Sequence, residues 1–203
     1  MKRSGLVILL LAVIFMLSVP STSCAEHKSW EGYLSFKGGV YWPTGDLQDL
    51  DFDNSFSGEV LIGMYINPNL AVEFGGGYFQ TDDVNLVSGA TTEKHSVWVI
   101  PVIANIKGVL PLKAVELYGG GGFGLYFANY DIEGYDPVTG NYTTKSDDTV
   151  FGGHVLAGLN IDLSKKVFIE VEGRYIFTAS ARLFNEKVNL DGLTLTGGLG
   201  FRF

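Results

Sequence analysis

Between residues 32 and 203 the chain alternates apolar and polar side chains with a period of two, in eight successive runs. Successive side chains of an extended strand leave opposite faces, so this pattern specifies strands with one apolar and one mixed surface. The runs are 32–42, 56–66, 70–80, 96–107, 115–129, 150–163, 167–177 and 192–203, separated by clusters of Gly, Pro, Asn and Asp. In the first, Leu34, Phe36, Val40 and Trp42 oppose Ser35, Lys37 and Tyr41. In the seventh, Val167, Ile169, Val171, Tyr175 and Phe177 oppose Glu170, Glu172 and Arg174. The fourth is apolar on both faces at its start and polar at Asn105 and Lys107.

The links between runs alternate in length. They are short at 67–69, 108–114 and 164–166, and long after the first, third, fifth and seventh strands. Long and short links therefore gather at opposite ends of the sheet. Trp42, Tyr78, Trp98, Phe127, Phe151 and Phe177 fall at the long-loop end of their strands, and Phe201 and Phe203 at the other end. Two aromatic girdles flanking an apolar band are what a bilayer asks of a protein surface. A helical route across a bilayer is closed, because a spanning helix needs about 20 apolar residues. Past the N-terminus the longest such run is 97–106, broken by Pro101. The sequence thus predicts an all-β fold, an eight-stranded antiparallel up-and-down transmembrane β-barrel.

Residues 1–25 stand outside that pattern. Lys2 and Arg3 precede an apolar run that ends in Ser21, Ser23 and Ala25, the arrangement of a secretory signal peptide cleaved after Ala25. Residues 26–203 are then the barrel domain. The chain's single Cys, Cys24, leaves with the signal, so disulfides contribute nothing. The full chain holds 14 Lys and Arg against 22 Asp and Glu. That balance offers no basic footprint for neutralising phosphates and sets nucleic-acid binding aside.

An eight-stranded barrel is just wide enough for side chains to fill it. By alternation the lumen receives Lys37, Lys107, Arg174 and Arg202 together with Glu59, Glu73, Glu116, Asp162, Glu170 and Glu172. Charges so confined must be paired. Expected partners across neighbouring strands are Glu170 with Arg202, and Glu172 or Glu59 with Arg174 or Lys37. The network reads as a plug, with an ion gate as the alternative. The glycine runs at 75–77, 119–122, 152–153 and 197–198 suit tight curvature. Pro101 lacks an N–H in a wall with no edge, so a bulge or a lost rung is expected there.

Other chemistry is thin. Asp49, Asp51 and Asp53 share the spacing of a calcium loop, but Asn54 and Val60 stand where its glycine and bidentate glutamate belong. Catalysis needs a nucleophile and base within reach. His95 and Ser96 are adjacent in one strand and face opposite ways, His27 lies near the mature N-terminus, and His154 points inward. No catalytic, metal or cofactor site is expected.

Three local motifs add specificity: Val40-Tyr41-Trp42-Pro43-Thr44-Gly45-Asp46 at the first turn, Ile100-Pro101-Val102-Ile103-Ala104-Asn105-Ile106-Lys107, and the terminal alternation of Leu195, Gly197, Leu199, Phe201 and Phe203. With the strand pattern, they resemble the small OmpA/OmpX-type outer membrane β-barrels, the outer membrane protein β-barrel domain group. The resemblance implies a monomer in the bacterial outer membrane, surrounded by lipid and lipopolysaccharide and inserted by the barrel-assembly machinery, which reads the terminal motif. It implies a structural barrel displaying four mobile acidic loops for envelope integrity, adhesion or surface contact. A narrow OmpW-like channel for ions or small solutes is the alternative, and a lipid A-modifying enzyme a distant third.

Overall fold

A computed structural model describes residues 29–44, 54–87, 91–112, 114–136, 140–183 and 186–203. The signal segment, His27 and the aspartates at 46, 49, 51 and 53 lie outside the described residues. The strands are β1 (Glu31–Pro43), β2 (Ser55–Asn67), β3 (Leu70–Val87), β4 (Thr91–Leu112), β5 (Val115–Asp136), β6 (Gly140–Asp162), β7 (Val167–Thr178), β8 (Ala181–Leu183), β9 (Glu186–Val188) and β10 (Gly192–Arg202). Eight of them close a barrel in the order β1-β10-β7-β6-β5-β4-β3-β2, while β8 and β9 form a separate hairpin. All pairings are antiparallel, and β1 is zipped to β10 from Tyr33↔Arg202 to Pro43↔Gly192. Closure gives each barrel strand a partner on both sides, which is how strands cross a bilayer without water to meet their backbone groups. No described helix is long and apolar enough to cross one.

Two expectations need correction. Segments 81–95 and 130–149, read from sequence as loops, are largely strand: β3 runs on to Val87, β5 to Asp136, and β6 begins at Gly140. A transmembrane strand needs about 9–11 residues, and β5 has 22. Outside a bilayer both faces of a sheet meet water, so apolar–polar alternation stops although the strand does not. The second correction is the β8–β9 hairpin inside the last long link, three residues a side and too short to show a period.

The lost rung at Pro101 is present, without a bulge. Pairing of β3 with β4 runs through Gly76↔Val102 and resumes in the same register at Phe79↔Val99, skipping the positions opposite Ile100 and Pro101. Pairing of β4 with β5 continues through Pro101↔Tyr126. The imino acid breaks contact on the side where its N–H is missing.

Inside, the side chains stack in three layers. Tyr33, Tyr65, Ala71, Val109, Tyr118, Leu156 and Phe168 pack together at the short-turn end. Charged side chains fill the middle. Above them Tyr41, Leu61, Phe79, Val97, Val99, Ile103, Tyr126, Ala128, Val150 and Ile176 form an apolar plug, completed by Ala181 and Leu190 from the β7–β10 link. The upper lumen is therefore drier than a polar channel. The sequence hinted at this only where β4 is apolar on both faces.

Candidate functional site

All ten charged residues assigned to the lumen from sequence point inward, and nine of them are buried, with Asp162 partly exposed at the short-turn end. Alternation puts them there: Lys37 sits between outward Phe36 and Gly38, and Glu170, Glu172 and Arg174 occupy every second position of β7. They separate into two groups.

The central group sets Lys37, Lys107 and Arg174 against Glu59, Glu73, Glu170 and Glu172. Arg174 forks onto Glu59, with Nη1 and Nη2 donating to its two oxygens at 2.7 and 2.9 Å, and Nη2 also reaches Glu172 at 2.7 Å. Lys37 donates to Glu172 at 2.9 Å and lies 3.5 Å from Glu59. Lys107 donates to Glu73 at 2.7 Å and Glu170 at 3.0 Å, and approaches Glu172 at 3.1 Å. Its ammonium stands 4.1 Å from the Tyr118 ring centroid. The second group is Arg202 between Glu116 and Asp162.

The pairings of Glu172 and Glu59 with Arg174 and Lys37 follow the sequence expectation. The pairing of Glu170 with Arg202 does not: Arg202 turns to Glu116 and Asp162, and Glu170 takes Lys107. The expectation assumed neighbouring strands. Arg202 on β10 instead reaches β5, and Arg174 on β7 reaches β2, neither pair adjacent in the wall. The lumen is narrow enough for a long side chain to span it.

Six carboxylates against four cations leave a deficit that hydroxyl and amide donors meet. Tyr33 donates to Glu73 at 2.8 Å, Tyr65 to Glu116 at 2.8 Å, Tyr118 to Glu170 at 2.7 Å, and Ser35 to Glu170 at 2.5 Å. Asn105 Nδ2 donates to Glu73 at 2.9 Å, so its Oδ1 accepts from His154 Nε2 at 2.6 Å. Sequence reasoning left these donors out of the network, although they share the inward parity of the charges. Such charge-assisted bonds offset the desolvation of the carboxylates.

A lid closes the upper end. Asp191 Oδ1 accepts the Thr178 N–H at 2.7 Å, Thr178 Oγ1 accepts the Leu190 N–H at 2.8 Å, and Tyr41 donates to the Leu190 and Asp191 carbonyls at 3.3 and 3.1 Å. These bonds press Leu190, fully buried, onto the apolar layer. The link between β7 and β10 is thus tied to the barrel mouth.

Outside, Trp42, Tyr78, Trp98, Phe127, Phe151 and Phe177 lie on the outward face, with Tyr78 and Trp98 stacked at 6.5 Å. Along β10 Leu195, Leu199, Phe201 and Phe203 also face out, with Gly197 between them, and Phe201 and Phe203 reach the other end; Phe203 is 71% exposed, and its N–H donates to the Gly32 carbonyl at 2.9 Å. Ser96 lies on β4 opposite Asp82 and Asp131, and of His95 only the backbone is described.

The family model for the outer membrane protein beta-barrel domain matches residues 9–203. Among solved structures, the outer membrane protein OprG from Pseudomonas aeruginosa is 13% identical with a TM-score of 0.58, covering 88% of this chain and 98% of its own. Neisserial surface protein A is 18% identical with a TM-score of 0.54, covering 85% and 97%. A major outer membrane protein from Thermus thermophilus is 14% identical with a TM-score of 0.53, covering 87% and 100%. At these identities the likeness is one of fold. No curated protein matches the chain.

Proposed function

The chain belongs to the outer membrane protein β-barrel domain family, and we propose that within it this protein is a closed structural barrel whose work is done by what it holds above the membrane: envelope integrity, adhesion or surface contact. The observation that carries this reading is the filled lumen. A paired ionic layer, an apolar layer and a lid lie in series along the one axis a solute would have to follow. Each carboxylate of the ionic layer has a hydrogen-bonded cation or hydroxyl, so an entering ion finds no vacant counter-charge. In this reading residues 1–25 are cleaved after Ala25, lipid and lipopolysaccharide surround the wall, and the barrel-assembly machinery inserts the chain by its Leu195–Phe203 motif. The barrel acts as a monomer, without cofactor and without catalysis.

The test is single-channel conductance in planar bilayers, on protein refolded in detergent and shown to be folded by a heat-dependent gel shift. The expected record is silent. Discrete, reproducible openings would replace this reading with the narrow-channel one and make Glu59, Glu172 and Arg174 its filter.

A further inference from the structure

The outer wall carries a groove in its short-turn half, with a volume of about 580 Å³. Register shows how it arises. Ala104 on β4 stands between Phe74 on β3 and Phe123 on β5, and the next outward pair toward the short turns is Ile106↔Gly121. Phe74, Ile106 and Phe123 are each more than half exposed, whereas Ala104 and Gly121 end close to the backbone. Small and large residues thus alternate both along and across the strands, and they leave a trench one side chain wide. It reaches from Gly121 on β5 to Gly32 on β1, four strand spacings or about 19 Å. The Phe203 ring lies over its far end, so close that a methyl group on Gly32 would meet it at 2.7 Å.

The trench offers an occupant no hydrogen bond. Among the described residues its polar lining is Glu73 and Asn105, and both turn inward: Glu73 accepts from Lys107 at 2.7 Å and from Asn105 Nδ2 at 2.9 Å. A polar solute would need partners there to fix it. A hydrocarbon chain needs only contact, and the volume lies within the range of about 300–1,000 Å³ usual for small-molecule sites. A second copy of the barrel does not fit, since two convex walls meet along a line and leave a trench between them unfilled.

Charge identifies the rest of the ligand. Beside the Phe203 end, the β6–β7 turn carries Lys165 and Lys166, both exposed. Ser164 Oγ accepts from the Lys166 and Val167 N–H groups at 3.2 and 3.1 Å, which fixes the turn. The Lys166 carbonyl accepts from the Arg202 N–H at 2.8 Å, one residue from Phe203. Asp162, the acid nearest in sequence, is held by Arg202 and does not neutralise the lysines. Two cations at the membrane interface beside an apolar trench match the two parts of an anionic lipid.

We infer that the trench holds one acyl chain of an anionic phospholipid whose phosphate is met by Lys165 and Lys166. The site needs the barrel in a bilayer and is indifferent to whether the lumen conducts.

The test is a titration of the refolded barrel, in detergent micelles at low ionic strength, with phosphatidylglycerol and with phosphatidylcholine of the same chains, read by native mass spectrometry. One phosphatidylglycerol is expected to bind at least about tenfold more tightly than one phosphatidylcholine, because each lysine at a lipid surface is worth about fivefold. Replacing both lysines, Lys165→Gln with Lys166→Gln, should bring phosphatidylglycerol down to the level of phosphatidylcholine while the heat-dependent gel shift persists. Ala104→Phe fills the trench and should weaken both lipids by about tenfold, through lost apolar contact. Should that variant not fold, Phe123→Ala removes one wall of the trench and provides the second reading, with a similar loss expected. Equal binding of the two lipids, selectivity that survives without the lysines, or affinity that ignores the trench variants would each overturn the inference. So would a dimeric barrel that takes up no lipid, which would assign the trench to a second copy. Channel openings would count against the closed-barrel reading alone.

Discussion

Arg174→Met is expected to destabilise the barrel by about 3–5 kcal/mol, the range for removing one member of a buried ion cluster. The guanidinium is 2% exposed and makes three hydrogen bonds in the lumen, two to Glu59 at 2.7 and 2.9 Å and one to Glu172 at 2.7 Å. Without it Glu172 still has Lys37 and Lys107, but among the described residues Glu59 keeps only Lys37, at 3.5 Å. The loss therefore comes mainly from stranding Glu59. It follows that Arg174→Met combined with Glu59→Gln should recover most of the stability, because a neutral pair avoids the uncompensated charge. Urea unfolding in lipid vesicles, followed by tryptophan fluorescence, measures both variants. A single variant within about 1 kcal/mol of the parent would mean that water reaches the layer and screens it, and the plug would have to be abandoned. A double variant no better than the single would place the cost in packing instead.

Which residues face the lumen was legible in the sequence, because a period of two carries that information and depends on nothing distant. Which lumen residues touch was not. Contact across a barrel depends on how far each strand is staggered against the next, and stagger leaves no mark on the alternation of one strand. Glu170 and Arg202 illustrate this: they lie on adjacent strands with the same parity, and the structure gives them different partners. The phenols show a different limit. Tyr33, Tyr65 and Tyr118 read as apolar when sides are sorted by hydropathy, yet each places its hydroxyl on a glutamate. The extensions of β3 to β6 leave no such mark for a third reason: beyond the bilayer a strand is not obliged to alternate apolar and polar side chains, and without that alternation its composition is that of a loop.

The apolar layer beneath the ions depends on a fit that hydropathy also conceals. Tyr33, Tyr118 and Phe168 each stand directly opposite a glycine in the next strand, Gly63, Gly158 and Gly200 respectively. At Gly200 a methyl group would come 1.9 Å from Phe168 Cζ and within 2.4 Å of two further ring carbons. Backbone freedom is not the issue there. The ring occupies the space, and it cannot yield easily: Phe168 is fully buried, lies edge-on to Tyr33 at 5.9 Å, and carries the Arg202 guanidinium 4.5 Å from its centroid. Gly200→Ala is therefore expected to cost about 1–3 kcal/mol, the usual penalty for overpacking a filled core, and Gly200→Val more. Moving the ring also moves Arg202 away from Glu116 and Asp162, so the damage should extend into the ionic layer. Phe168→Leu in the Gly200→Ala background should restore part of the loss by making room, although the same change in the parent leaves a cavity and destabilises. That reversal of sign, read from unfolding midpoints in vesicles, is the decisive outcome. If Phe168→Leu were harmful by the same amount in both backgrounds, ring and glycine would be independent, and closure of β10 against β7 would rest on the backbone ladder alone.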